Sequence, residues 1–548
     1  MTRDVAQGPR KRAEAEDAGA LLQSWRGLGV RASDAAHRPR LARSPATDPP
    51  AVVAHLSAAE IGKRIAVWRK ASPSLDALFL QGAPPADALR RFGLTHWTAG
   101  DARAASQAFA TAAALAPDNA ALWLDLAYTL HASGDPAQAR AAFEWALALD
   151  PTPARGWVGL ALAANQLADK RGAELAFRAA LSCDPKLADA AFGLGLLCFE
   201  QRRYAEAAKY WRMVVALGCP NPVVYAGLGQ ALFYIGDFAG AAQALGDNVA
   251  AGGADDRLVR RFALARFLAT AIAGDVEAAF AAYRDAAGAR AEDVGTVMRA
   301  ALELLAAYGH REVALRLGRA RAATVRDDPI LRYLFEVASG EKFDRAPRDY
   351  VVDHFDRFAE AFDRQLVDVL GYDAPAKLSR LVELAGKALP RAVDLGCGTG
   401  LAGPLLKPGR ARLVGVDLAP RMLAKAAERG VYDALVEAEI ANFLETTSER
   451  FELVFATDVL IYLGDLAGFL AGAARVTPPG GLLAVSVETT WEAPYRLLPS
   501  GRFAHDVSAL RSQAAPWFAL RNAEPTTLRF EAGARVHGSL VVLERRAA

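Results

Sequence analysis

Proline returns every 34 residues through the middle of this chain, at Pro117, Pro151 and Pro185, with Pro220 one residue late. Phe109, Phe143, Phe177 and Trp211 recur at the same interval, as do Leu126, Leu160, Leu194 and Leu228, and Trp123 with Trp157. Gly100-Asp101, Gly134-Asp135 and Gly236-Asp237 keep the same phase. A fixed period with one aromatic, one small residue and one proline at constant offsets is the pattern of stacked helix pairs. Small residues let the two helices of a pair approach, the aromatic fills the gap to the next pair, and proline stops the second helix. The pattern predicts an all-α solenoid of five units over 86–255. From Asp256 the helical periodicity continues to 340, with turns at Gly274-Asp275 and Gly309-His310, but the repeat fades into degenerate units that cap the array.

Composition sets the outer limits. A chain of 548 residues exceeds what one core serves, and about three domains are expected. A net charge of +2 forces no face to be basic, which argues against nucleic acid as a partner. Met1 to Asp17 alternates charges around no apolar core, unlike a secretory signal, and no apolar run approaches the ~20 residues of a membrane span. Cys183, Cys198, Cys219 and Cys397 lack metal-ligand spacing and read as reduced residues, so no metal site is expected and the location reads as cytoplasmic. Residues 1–50 are rich in Arg, Ala and Pro, with a weak helical stretch at Ala18–Trp25, and read as a disordered tail. Its Arg10-Lys11-Arg12 reads as a solvated charge run, with contact to an acidic partner as the alternative. Residues 51–85 form a helical lead-in to the repeats.

A second pattern carries chemistry. Val393-Asp394-Leu395-Gly396-Cys397-Gly398-Thr399-Gly400, followed by Leu413-Val414-Gly415-Val416-Asp417, reads as a buried strand, a glycine turn, a short helix and a second buried strand ending in a carboxylate. Alternating glycines let the backbone bend sharply and approach a ligand that a Cβ would repel. Asp417 falls at the carboxyl end of its strand, where open α/β sheets hold ligands, and an acid there can accept from both ribose hydroxyls. The ligand is therefore expected to be a nucleoside-containing cofactor. Gly398-Thr399-Gly400-Leu401-Ala402-Gly403 also fits the dinucleotide fingerprint. In that register Gly396 and Cys397 would interrupt the strand, and Asp394 would repel a pyrophosphate.

The D-x-G-x-G-x-G pattern with a downstream acid resembles motif I of the class I S-adenosylmethionine-dependent methyltransferases. The resemblance implies that Asp394 approaches the methionine ammonium and that Gly396, Cys397, Gly398, Thr399 and Gly400 pass under the sulfonium. It further implies that Asp417 and Leu418 meet the ribose and that Glu439 stands where an acid accepts from adenine. Likewise the series Ala139, Phe143, Ala146, Pro151 resembles the second half of a tetratricopeptide repeat, and Trp123, Leu126, Ala127 its first half. Such repeats imply a groove for a protein or peptide; dimerisation and bracing of the enzyme are the alternatives. Over 86–548 the chain resembles bacterial methyltransferases that carry these repeats before the catalytic domain, a resemblance carried also by Tyr350–Asp363 and Leu528-Arg529-Phe530-Glu531.

The predicted fold is thus multidomain: a solenoid, then a Rossmann-like α/β domain over 350–548 with a seven-stranded sheet whose last strand is antiparallel. Within it, 350–390 holds two helices split at Gly371. The first is amphipathic and aromatic-rich; the resemblance to the methyltransferases implies a lid over the cofactor, with Tyr350, Phe355 and Phe358 closing the pocket, and core packing is the alternative for each. Phe451–Ala456 and Leu482–Glu488 are the fourth and fifth strands, and Asp458 and Tyr462 follow the fourth, facing cofactor and substrate. Trp517–Arg521 and Gly538–Leu543 read as the last two strands, separated by a polar loop. Too few residues remain for a second dinucleotide-binding half, which disfavours a dehydrogenase. Methyl transfer needs a base only where the acceptor loses a proton. His505 is the candidate, with Glu488 and Asp506 as alternatives. Three readings stay open: a methyltransferase acting on a protein presented by the repeats, a small-molecule methyltransferase using them for assembly, and an inactive scaffold. The methyl acceptor is not legible.

Overall fold

The computed structural model describes residues 50–218, 221–253, 255–360, 362–363, 372–531 and 534–547. The expected tail up to residue 49, Cys219, Pro220 and the Gly371 break lie outside these residues. The chain divides into two compact units, Met1–Gly227 and Leu228–Ala548.

In the first unit the helices run Pro85–Thr98 and Ala102–Leu115, Ala120–Ala132 and Pro136–Leu149, Ala154–Gln166 and Lys170–Cys183, Ala188–Glu200 and Tyr204–Ala216. The 34-residue spacing has a backbone cause. Between the helices of successive pairs the chain steps through the left-handed region at Gly100, Gly134, Ala168 and Arg202, and again at Gly236 in the second unit. The next residue then caps the following helix. Asp101, Asp135, Asp169 and Asp237 accept from the backbone N–H of Ala104, Gln138, Gly172 and Gly240. Arg203 breaks the series, and its guanidinium pairs instead with Glu174 and Glu206. Recurring tryptophan and proline are coupled the same way. The buried Trp123 and Trp157 donate from Nε1 to the carbonyls of Pro117 and Pro151 at 2.9 and 2.8 Å. Small residues seat the aromatics: a Cβ on Gly159 would overlap the Phe143 ring.

The second unit opens with further helices, among them Asp256–Ala273, Val276–Ala287, Val294–Ala307 and Pro329–Ser339, and continues into the sheet. Its strands are β1 Arg391–Leu395, β2 Arg412–Asp417, β3 Ala434–Glu437, β4 Leu453–Ala456, β5 Leu482–Glu488, β6 Tyr495–Leu497, β7 Phe503–His505, β8 Phe518–Glu531 and β9 Ala534–Arg545. Seven of them form one sheet in the order β3-β2-β1-β4-β5-β9-β8, with β9 antiparallel to β5 and to β8. Both faces are covered. Val393, Leu395, Val414 and Val454 enter one apolar layer, while Ala392, Leu413, Phe455 and Leu482 enter the other. Order reverses between β1 and β4, which opens a crevice at their carboxyl ends.

Two features depart from the sequence reading. The loop expected between Arg521 and Gly538 is largely strand, because β8 and β9 make one long hairpin with register shifts at Leu520/Asn522 and Thr527/Arg529. Its polarity misleads because Arg529 is buried among carboxylates rather than solvated. A two-stranded β6-β7 ribbon and helix Val507–Ala514 occupy the stretch after β5. No helix among the described residues is long and apolar enough to cross a membrane.

Ala168 holds φ +60° at a position where three of its counterparts are glycine. An L-residue there costs ~1–2 kcal/mol, partly offset by the lower entropy of its unfolded chain. Ala168→Gly is expected to raise stability by roughly 0.5–1 kcal/mol, read as a higher urea midpoint.

Candidate functional site

The bend after β1 is tied to the end of β2 by backbone alone. Gly396 N–H and Cys397 N–H both donate to the Val416 carbonyl, at 2.7 and 3.0 Å. Gly396 and Gly398 sit at φ +67° and +54°. A Cβ on Gly396 would overlap the Val459 side chain, whereas the space beside Gly398 is open, with only Phe362 at 3.8 Å. Asp417 then locks the bend from the side. Its Oδ2 accepts from Gly398 N–H at 2.8 Å and its Oδ1 from Ala419 N–H at 2.9 Å. Each oxygen keeps a second lone pair for a ligand hydroxyl. The Thr399 hydroxyl and Arg429 both bond Asp363, and Arg429 Nε reaches the Thr399 carbonyl at 2.5 Å.

Strand alternation points Asp394 to the same side as Ala392, opposite Val393 and Leu395. There its Oδ2 accepts from the Tyr432 hydroxyl at 2.7 Å. Burial, together with the charge of Asp417, pushes the Asp394 carboxyl up to about 7, against the pull of the Tyr432 hydrogen bond. Burial also raises Asp417. No cation pairs with Asp394 among the described residues, so a ligand ammonium arriving there would relieve a real electrostatic cost.

These groups open into one cavity of about 820 Å³. Asp394, Gly396, Cys397, Gly398, Thr399, Asp417, Leu418, Glu439, Asp458 and Tyr462 all line it. Glu439 caps helix Ile440–Thr446 through Asn442 N–H at 3.2 Å. Gly400 is set back, against Tyr432 and Arg429. The aromatic helix Arg348–Phe358 supplies Val351, His354 and Phe355 as a wall; Tyr350 packs behind on Tyr333, and the Phe358 side chain lies outside the described residues. Phe355 meets Tyr462 edge to face at 5.6 Å.

His505 is not among the lining residues. It is 1% exposed, its ring is 3.0 Å through Nε2 from the Leu460 carbonyl, and burial lowers its pKa. That contact braces the turn Leu460–Tyr462, so the imidazole expected as a base lies behind this turn rather than on the cavity wall. The alternatives are also engaged: Asp506 caps helix Val507–Ala514, and Glu488 bonds Arg529 at 2.8 Å.

The far end of the cavity is charged, which sequence reasoning missed. Arg529, 5% exposed, reaches Asp458 at 3.1 Å, Glu488 at 2.8 Å and Glu531 at 3.4 Å, and Arg502 also pairs with Glu531. Two guanidiniums thus face three carboxylates. Asp458 is held at φ +54° by its N–H bond to Ser486 Oγ, at 2.8 Å. Glu303, from helix Val294–Ala307, faces the same end and makes no hydrogen bond or ion pair among the described residues. Its side chain is exposed at the cavity's rim, and desolvation by the surrounding protein, with the nearby Glu531 charge, raises its pKa to about 7. Glu303 belongs to a helix of the faded repeats, so no local motif marks it.

With this geometry in place, known proteins are informative. Residues 393–485 match the methyltransferase domain family, and residues 96–165 and 166–218 match two tetratricopeptide repeat families. The chain therefore carries a methyltransferase domain preceded by tetratricopeptide repeats. It is 38% identical over 126 residues to a trans-aconitate 2-methyltransferase of Methylobacterium nodulans, covering 22% of this chain and 47% of that protein. It is 27% identical over 199 residues to a ubiquinone biosynthesis O-methyltransferase of Xylella fastidiosa, covering 32% and 79%. The chain spans about half the length of the first of these curated relatives. A crystal structure of the N-methyltransferase NodS from Bradyrhizobium japonicum WM9 with S-adenosyl-l-homocysteine aligns at 20% identity and TM-score 0.27, over 32% of this chain and 86% of that one.

Arg529→Met leaves Asp458, Glu488 and Glu531 short of a buried cation. It is expected to destabilise the domain by about 3–5 kcal/mol. Burial already raises the Glu488 carboxyl, and losing Arg529 removes the charge that most opposes that rise. The penalty is greatest at high pH and shrinks as pH falls from about 8 to about 5, which urea unfolding at the two pH values measures.

Proposed function

We propose that this chain is an S-adenosylmethionine-dependent methyltransferase whose repeats hold a protein partner or a protein substrate. The observation that carries the reading is the convergence of Asp394 and Asp417 on one glycine bend inside an 820 Å³ cavity. The cavity fits the cofactor chemically: a buried acid without a cation suits an ammonium, and a carboxylate with spare lone pairs suits a ribose diol. Bound S-adenosylmethionine supplies a methyl group on a positively charged sulfur, already activated for displacement.

The protein's share is alignment, exclusion of water and handling of one proton. Asp394 holds the ammonium, Asp417 with Leu418 the ribose, and Glu439 stands by the adenine. Gly396 to Thr399 bring backbone rather than side chains against the ligand. Phe355, Phe362 and Tyr372 keep water from the reacting centre. Tyr462, whose hydroxyl stays protonated because burial lifts its pKa to about 12, donates a hydrogen bond to the acceptor. Asp458 orients the acceptor from the opposite side. His505 positions Tyr462 by holding Leu460. Glu303 takes the acceptor's proton, since a carboxyl that titrates near neutrality is both available as a base and strong enough to act as one.

Radiolabelled methyl transfer into lysate separates a protein acceptor from a small one. Label confined to small molecules would overturn the protein-substrate part of this reading. The cofactor site is tested by calorimetry with S-adenosylmethionine. Asp394 binds the cation only when ionised, so affinity should climb with pH by up to about tenfold per unit below about pH 7 and level off above it. Asp394→Asn should bind weakly with a flat profile. Glu303→Gln should lower turnover by about 100-fold while cofactor affinity stays within about twofold; labelled transfer and calorimetry on the same protein read the two effects.

A further inference from the structure

A second cavity, of about 230 Å³, lies in the helices ahead of the sheet. One wall is the first half of helix Asp256–Ala273, which turns Arg257, Arg260 and Arg261 towards it. The facing wall is helix Val294–Ala307, through Val297, Ala300 and Leu304. Phe233 contributes an apolar floor.

Asp256, one turn before Arg260, pairs instead with Arg290 at 2.6 Å. Arg257, Arg260 and Arg261 make no ion pair among the described residues, although they crowd three positive charges into little more than one helical turn. Like charges at that spacing oppose one another. Arg261 is held in place over the rings of Phe233 and Tyr234, at 5.2 and 5.1 Å. Its Nη1 is buried without a hydrogen-bond partner. A charged donor left in that state costs more than a neutral one. Among the described residues the one carboxylate lining the cavity is Glu292, on the exposed loop at its edge, and it leaves an excess of two positive charges.

We propose that this cavity binds a small organic anion, a carboxylate or phosphate monoester carried on a short apolar group, with its oxygens on Arg257, Arg260 and Arg261 and its apolar end against Phe233, Val297 and Leu304. The anion gives the buried Arg261 nitrogen the acceptor it lacks and offsets the repulsion along the helix. Guanidinium groups suit both head groups, because their forked donors match paired oxygens. The apolar wall sets the preference for an organic anion over a bare one. This site rests on none of the residues assigned to methyl transfer, although Leu304 also lines the larger cavity.

Calorimetry on the full chain decides it, with phenyl phosphate, phenylacetate, inorganic phosphate and the neutral benzyl alcohol as probes. Phenyl phosphate or phenylacetate, or both, should bind at least about tenfold more tightly than inorganic phosphate or benzyl alcohol. Whichever of the two binds identifies the head group. The double variant Arg257→Gln, Arg260→Gln changes two exposed side chains and keeps the stacked Arg261. It should weaken that binding at least about tenfold with a thermal unfolding midpoint no lower than that of the parent chain. No binding by either organic anion, equal affinity for inorganic phosphate, or undiminished binding in the double variant would overturn the proposal.

Discussion

The donation from Gly398 N–H to the Asp417 carboxylate is the contact on which the catalytic half of this chain turns. It joins the bend after β1 to the end of β2, and it works only because Gly396 and Cys397 have already given their N–H groups to Val416. Three donors from one short loop on two acceptors of the neighbouring strand leave the bend little freedom. The loop therefore presents its backbone to the cavity in one shape. Asp417 is oriented by the same bonds that shape the loop, so the residue read as the ribose acceptor is also a structural clamp. A side chain with both functions tolerates little change: asparagine would keep the shape of the carboxylate but could not accept through both of its arms.

The cavity's two ends differ in electrostatic character. At the glycine end Asp394 has no cation beside it among the described residues, and burial raises its pKa. At the far end Arg529 and Arg502 are already matched by carboxylates, and the buried cluster fixes the geometry of Asp458 rather than offering a free charge. Breaking such a cluster is costly, while its intact form contributes modestly to stability. What it supplies is position. Glu303 stands apart from both arrangements, a carboxylate with no hydrogen bond or ion pair among the described residues.

The repeats show how far a period can be read. Proline, tryptophan and the glycine-acid step all proved to be parts of one recurring unit: a left-handed residue, a capping carboxylate, and an indole N–H satisfied by the carbonyl of the proline six residues before it. Ala168 and Arg202 take the left-handed conformation without being glycine, so the repeat extends beyond its visible signature. The arginine cavity belongs to the faded part of the array, where the period no longer says which side chains face one another.

Local chemistry was legible wherever the chain's own backbone sets it. A glycine bend, a capping aspartate, a strand ending in an acid and the arrangement of the sheet all follow from short-range sterics and hydrogen bonding, and the sequence by itself determined them. Its reading of β8 failed because alternating polar residues mean solvent in an exposed strand and a charged interior in one that borders a cavity, and composition is the same in both. The assignment of a base to His505 rested on its being a lone titratable group in the right stretch. Only the tertiary structure could place that ring behind Leu460 and bring Glu303, some 200 positions earlier, to the cavity's edge. Residues that distant in the chain meet through the packing of whole helices, which depends on the sum of many weak apolar contacts and leaves no mark at the residue that ends up facing the cavity.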